Sequence, residues 1–281
     1  MKNLFLTAGV GLVLLSALVS LPIRQAHGQD GTSDGPVTTP DFVAPKVFQA
    51  AGPSVDSIKG SFTEYQNELG GKNNNNDASH NDGGFRQINW DGGGTSTTVD
   101  PNPMVRFLGP RGALITTPDG SGFVQAPPDG LATQFSNPSY GTIFRAFSQF
   151  RLFSAIGGRI TDVDFFLPGD GNKPATTKGF GVVFTDVDQP DGSGPGEKQG
   201  NRHASTLVEY FGANGELLFS SFVPASPGDG NQSFFGVVFP DARIARVRIT
   251  SGNVVPGADD VGKQDVVMMD DFIYGEPVAR P

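Results

Sequence analysis

The sequence predicts an all-β fold, an antiparallel two-sheet sandwich of jelly-roll type with one short N-terminal helix. Two observations carry this. From Phe85 onward, runs of strand length alternate apolar and polar residues with period two, and Gly-, Pro-, Asn- and Asp-rich clusters separate them. The 39 Gly and 22 Pro supply many turns, and the 23 Phe supply the bulk to fill a space between sheets. A βαβ fold would need helical stretches between strands, and the second half has none.

The first 28 residues read as a secretory signal. Lys2 gives a basic start, Leu4 to Leu21 is an uncharged apolar run, and Ala26-His27-Gly28 is a small-residue cleavage site before Gln29. Pro22 and Arg24 break the run short of a comfortable membrane span, so cleavage is expected and a retained anchor is the alternative. Residues 29–45 (QDGTSDGPVTTPDFVAP) lack periodicity and read as a flexible leader. A single sandwich domain is expected over residues 46–281. Its helix is placed at about residues 55–69, with Ser54 or Asp56 at its start and Gly70-Gly71 at its end. Phe62, Tyr65 and Leu69 fall on one face, which should pack on the sandwich. The polar tract at residues 72–84 (KNNNNDASHNDGG) is expected to be a mobile loop.

Strand assignments follow from the alternation. Val163, Phe165 and Leu167 point one way while Asp162 and Asp164 point the other. Phe180, Val182 and Phe184 share a face, as do Phe235, Val237 and Phe239. Val247 and Ile249 should face the core, with Arg246 and Arg248 toward water. Further strand-length runs lie at residues 113–117, 207–211, 217–223 and 266–274. The segments PGDGNKPA, QPDGSGPGEKQGN, ANGE, PASPGDGNQ and NVVPGADDVGKQ read as turns, giving about nine or ten strands in all.

Charge and composition narrow the function. Losing the signal removes Lys2 and Arg24 and no acidic residue, so the formal charge of −9 becomes −11. An acidic surface repels nucleic acid and anionic membranes and suits divalent cations. The chain has no cysteine, so thiolate sites, disulfides and a lipidated cysteine anchor are excluded. Of the two histidines after the signal, His80 lies in the Asn tract and His203 in a turn-rich loop, neither at a metalloprotease spacing. There is no GxSxG elbow and no phosphate-cradling loop between strand and helix, so no catalytic residue is assigned. The enzymatic alternative is a polysaccharide hydrolase or lyase using an Asp pair, with Asp162/Asp164, Asp186/Asp188 and Asp270/Asp271 as the available pairs.

Calcium is the expected cofactor, because hard cations take carboxylate and carbonyl oxygens from irregular Asp/Asn/Gly loops. Asp186 and Asp188 close a strand and enter such a loop. Asp270 and Asp271 interrupt the apolar run VVMMDDFIY. As strand neighbours they should point to opposite faces, leaving one inside in need of a cation or an arginine such as Arg246 or Arg248. For a glycan, the candidate stacking rings are Trp90, Tyr140, Tyr210 and Tyr274, with Trp90 placed just before a Gly-rich loop.

The second half carries a resemblance. In order, FRLFSAIGGRITDVDFFLPG, GFGVVFTDVD, EYFGANGELL, RIARVRITSGN and VVMMDDFIYGEP span Phe150 to Pro277, about half of the chain. Together they resemble a family of secreted bacterial proteins of uncharacterised activity, some with a C-terminal PEP-CTERM sorting tail. The resemblance implies export and a β-sandwich. Beyond Tyr274-Gly275-Glu276-Pro277 this sequence has neither a hydrophobic span nor a basic terminus, so sorting by that route is not expected. More distantly, the Asp-Asp-Phe of the last strand is similar to carbohydrate-binding jelly rolls in which a final-strand Asp holds a structural calcium. The expectation is a secreted, non-catalytic binding or structural protein, calcium-stabilised, with an extracellular glycan or matrix component as partner.

Overall fold

The computed structural model describes residues 44–79, 81–189 and 205–280. The signal, the leader up to residue 43, His80 and His203 lie outside the described residues. In chain order the first strands are β1 (Lys46–Gly52), β2 (Phe85–Ile88), β3 (Thr98–Pro101), β4 (Ala113–Thr116), β5 (Gly122–Ala126), β6 (Leu152–Ile156), β7 (Ile160–Leu167) and β8 (Asp170–Thr176). There follow β9 (Gly179–Thr185), β10 (Leu207–Phe211), β11 (Leu217–Phe222), β12 (Gln232–Val238), β13 (Arg246–Thr250), β14 (Met268–Gly275) and β15 (Val278–Ala279). One sheet has eight strands in the order β1-β12-β9-β14-β6-β5-β3, with β2 also beside β14. The other has seven in the order β11-β10-β13-β7-β8-β15, with β4 beside β7. The ladders between these strands are antiparallel, so the protein is an all-β, two-sheet sandwich.

Fifteen strands stand among the described residues where about nine or ten were expected. The additions are mainly short or edge strands without clean alternation. PGDGNKPA, read as a turn, is a tight hairpin at Pro168-Gly169 followed by the mostly exposed strand β8. Gly169 adopts φ 81°, and a Cβ there would meet the Ala78 carbonyl at 2.5 Å.

The alternating residues build the layer between the sheets. Val163, Phe165, Phe180, Val182, Phe184, Phe235, Val237, Val247 and Ile249 all lie in one buried cluster there. The central strands β9, β12 and β14 are buried on both faces. Helix α1 (Val55–Glu68) covers part of the outer face, with Ile58, Phe62, Tyr65 and the following Leu69 against Val183, Phe234 and Ile273. Tyr65 lies over a trough made by Gly181 and Gly236, which face one another across β9 and β12. Gly70 and Gly71 end the helix: their N–H groups donate to Asn67 and Gln66 carbonyls, both at 2.9 Å, a Schellman closure with φ 115° and 72°. Ser54 is the N-cap residue, but its side chain bonds Ser57 Oγ rather than a helix N–H.

The remaining helices are short: α2 (Leu108–Arg111), α3 (Pro128–Gln134) and α4 (Tyr140–Ile143). The last two cover another part of the outer face through Leu131, Tyr140 and Ile143 against Val124, Leu152 and Met268. In the Asn tract, Asn74 Nδ2 donates to the Gly83 carbonyl and to Glu276 Oε2, both at 2.8 Å. Glu276 in turn holds a bidentate ion pair with the buried Arg86, at 2.8 and 2.6 Å, tying the end of β14 to β2.

Candidate metal centre

Three loops meet beyond the end of β9 and bring Asp186, Asp188 and Asp260 together. One oxygen from each carboxylate lies within 4.8 Å of the others. Asp186 directly follows β9 and takes a left-handed φ of 71°, held by its N–H to the Asn231 carbonyl at 2.9 Å. Asp188 Oδ1 accepts the Gly228 N–H at 2.7 Å, which joins this turn to the loop before β12. Asp260 comes from the long β13–β14 connection, where its Oδ1 accepts the Val266 N–H at 2.9 Å. Asp265 supports the group from behind: it accepts the Asp188 and Gln189 N–H groups at 3.3 Å and the Ser205 hydroxyl.

The electrostatics are those of an anionic cluster short of positive charge. Asp186 is fully buried, and neither of its oxygens meets a hydrogen-bond donor among the described residues, although a protonated Asp186 can donate to the Asp260 carboxylate. Burial, followed by repulsion from Asp188 and Asp260, pushes its carboxyl up to about 10. Asp260 is raised mainly by burial, and Asp265 is pushed up to about 6 for the same reason. Ionised carboxylates at such separations repel by on the order of 3–4 kcal/mol per pair at an effective dielectric near 20. Two chemical states relieve this: a proton on Asp186, or a hard divalent cation among the three carboxylates.

Asp270 and Asp271 do not join this cluster. Met268 pairs with Thr185, so Asp270 lies roughly 10 Å back along the sheet from Asp186, at ~3.3 Å per residue. The expectation that they face opposite ways is also corrected. Met269 pairs with Phe184 but Phe272 pairs with Val182, so β14 bulges and both aspartates occupy one outward step. Met269 and Phe272 on either side of the bulge point into the core. Among the described residues, neither aspartate pairs with an arginine. Asp270 Oδ2 accepts the Phe147 N–H at 2.7 Å, its Oδ1 accepts the Ser148 hydroxyl at 3.1 Å, and Asp271 Oδ2 accepts Gln87 Nε2 at 2.6 Å. Burial and then mutual repulsion raise Asp270 well above the usual carboxylate range, and burial pushes Asp271 to about 6. The third pair is outward-facing as expected: Asp162 is held bidentately by its cross-strand neighbour Arg248, at 2.8 and 2.7 Å.

The aromatic candidates are corrected too. Tyr140, Tyr210 and Tyr274 are fully buried and present no ring face to solvent. Tyr210 donates to the Phe180 carbonyl at 3.2 Å and Tyr274 to that of Arg111 at 3.1 Å. Trp90 stacks on Phe153 at 3.9 Å between ring centroids, donates Nε1–H to the Asp270 carbonyl and is 3% exposed. Aromatic bulk beside Gly-rich loops was ambiguous, and in this sandwich burial decided it. Tyr140 nevertheless bears on the cluster: its hydroxyl donates to the Ala258 carbonyl at 2.8 Å and accepts the Gly257 N–H at 2.7 Å, fixing the loop that carries Asp260.

No family model matches this chain, and no curated protein or solved structure does either.

Sequence reasoning found Asp186 and Asp188 and missed Asp260 and Asp265. Both sit in GADDVGKQD, which reads as turn chemistry. The available signal was an Asp-Asp pair between two glycines, in a connection too long for a simple hairpin.

Proposed function

We propose that this is an exported, non-catalytic binding or structural protein whose sandwich is completed by calcium at Asp186, Asp188 and Asp260. The observation that carries the cation is Asp186, a fully buried carboxylate that meets no hydrogen-bond donor among the described residues and has two further carboxylates facing it. The donor set is all oxygen, without histidine or cysteine, which is calcium chemistry rather than zinc or copper chemistry. The three carboxylates supply part of the six to eight oxygens calcium takes, with carbonyls and water supplying the rest. Export is supported by the N-terminal signal pattern and by the resemblance to secreted proteins. Among the described residues no helix is long and apolar enough to cross a membrane. The ligand class proposed is an extracellular glycan or matrix component. Calorimetric titration of the chelated protein tests the cation: saturable, near one-to-one calcium binding is expected, weakened about tenfold or more in Asp188→Asn. Absence of saturable binding refutes the calcium site.

A further inference from the structure

A second feature lies in a cleft of about 450 Å³ that shares no lining residue with the acidic cluster. Arg106, Arg111 and Arg151 all line it, and no aspartate or glutamate does, in a chain of net charge −9. Arg151 directly precedes β6 and is 1% exposed. Its Nη2 donates to the Gln125 carbonyl at 2.9 Å, while its Nε is buried without a partner among the described residues. A Cβ at Gly93 would stand 1.9 Å from Arg151 Nη1, so glycine is what admits this guanidinium to the wall. Arg111 donates from Nε to Asn76 Oδ1 at 2.6 Å and lies over the Phe107 ring at 5.3 Å. Two carboxylates stand beside the cleft. Asp100 pairs with Arg106 and accepts Gln125 Nε2, and Asp91 accepts the Arg151 main-chain N–H at 3.2 Å. Burial, followed by the nearby Arg106, lowers Arg151 from the usual arginine range, as expected where cations crowd without enough counter-charge.

The remaining wall combines the half-buried Phe107, with the buried Trp90 behind it, and the uncharged polar groups of Asn89 and Thr98. Guanidinium forks match carboxylates bidentately, amides and hydroxyls match sugar hydroxyls, and apolar walls match the C–H face of a sugar ring. The size falls within the range of about 300–1,000 Å³ for small-molecule sites. We propose that this cleft binds the carboxylate-bearing unit of an acidic carbohydrate, a uronic acid residue. The proposal rests on the binding role given above and is independent of the calcium site.

Calorimetry on the calcium-saturated full chain tests it, with oligomers of galacturonate and of glucuronate, a neutral glucose oligomer, and sodium sulfate as a sugar-free anion. Saturable binding of at least one uronate is expected, about tenfold or more tighter than either the neutral sugar or sulfate. Arg106→Gln should weaken it by a similar factor. So should Asn76→Asp, which adds a negative charge at an exposed position while keeping the acceptor for Arg111. Thermal melting checks that both variants are folded. No uronate binding, equal binding of the neutral sugar or of sulfate, or unchanged affinity in both folded variants would overturn the assignment. A calcium response without uronate binding would overturn the cleft alone and leave the cation reading standing.

Discussion

Asp186 is a β-strand's last neighbour forced into a left-handed turn, with its carboxylate sealed among other carboxylates. A non-glycine residue in that region costs on the order of 1–3 kcal/mol, and such strain persists only where surrounding contacts over-determine it. Here the contacts come from three loops, and Tyr140 is the strut for one of them. Removing its hydroxyl in Tyr140→Phe takes away the acceptor of the Gly257 N–H and one of two donors to the Ala258 carbonyl, which keeps Asn137 Nδ2 at 3.0 Å. A loss of about 0.5–1.5 kcal/mol in chemical denaturation is expected, the usual net worth of a hydrogen bond, because Gly257 is exposed and Ala258 half-buried. Calcium affinity should fall several-fold, because the Asp260 loop is then held, among the described residues, only by Asn137 and the Val266 N–H. A Tyr140→Phe protein with unchanged calcium affinity would show that the loop is held by other contacts.

At the scale of elements, the seating of α1 depends on two glycines facing across β9 and β12. A Cβ at Gly236 would meet Tyr65 Cε2 at 2.9 Å and Gly181 Cα at 3.1 Å. Gly236→Ala should therefore destabilise by about 1–3 kcal/mol, as overpacking does. Combined with Tyr65→Leu, the loss should be smaller than the sum of the single losses, which denaturant melts can measure. Period-two alternation made the inter-sheet face legible, down to Val163, Phe180 and Val247. Helical spacing of Phe62, Tyr65 and Leu69 made α1 legible as well. The Gly181/Gly236 trough was hidden, because only pairing in register reveals that two distant glycines face one another. The bulge in β14 was hidden too, since alternation from Met269 onward assigns Asp270 and Asp271 to opposite faces. At the site, Asp186 and Asp188 were legible as carboxylates two apart at a strand end. Asp260 arrives from 72 residues away in sequence, and only the fold brings it there. The arginine cleft has a faint signature: between Pro103 and Arg151 four arginines stand against two aspartates, in an otherwise acidic chain.

For the whole molecule, the buried aspartates set a pH dependence with a definite sign. Asp265 and Asp271 are pushed up to about 6 and Asp186 to about 10, from an ordinary value of 3.8. The folded chain thus holds these protons more tightly than the unfolded chain. Their contribution to stability is complete below about pH 4 and is lost as pH rises through about 6 and on toward 10. Metal-free protein should therefore melt at a lower temperature at pH 8 than at pH 5, and calcium should offset most of that loss. A metal-free melting temperature that rises over this interval would contradict the assignment of protons to these groups. The most direct test of the calcium site compares melting at pH 8, in calcium and in chelator, for the wild-type protein and Asp186→Asn. Calcium at a hundredfold excess over Kd stabilises by about 2.7 kcal/mol, so chelation should lower the wild-type Tm by roughly 5–10 °C. Asp186→Asn, which mimics the protonated side chain and tolerates the left-handed turn, should show no calcium shift and should melt in chelator at or above the chelated wild type. A wild-type curve indifferent to chelation, or a full calcium shift retained by Asp186→Asn, would contradict the site.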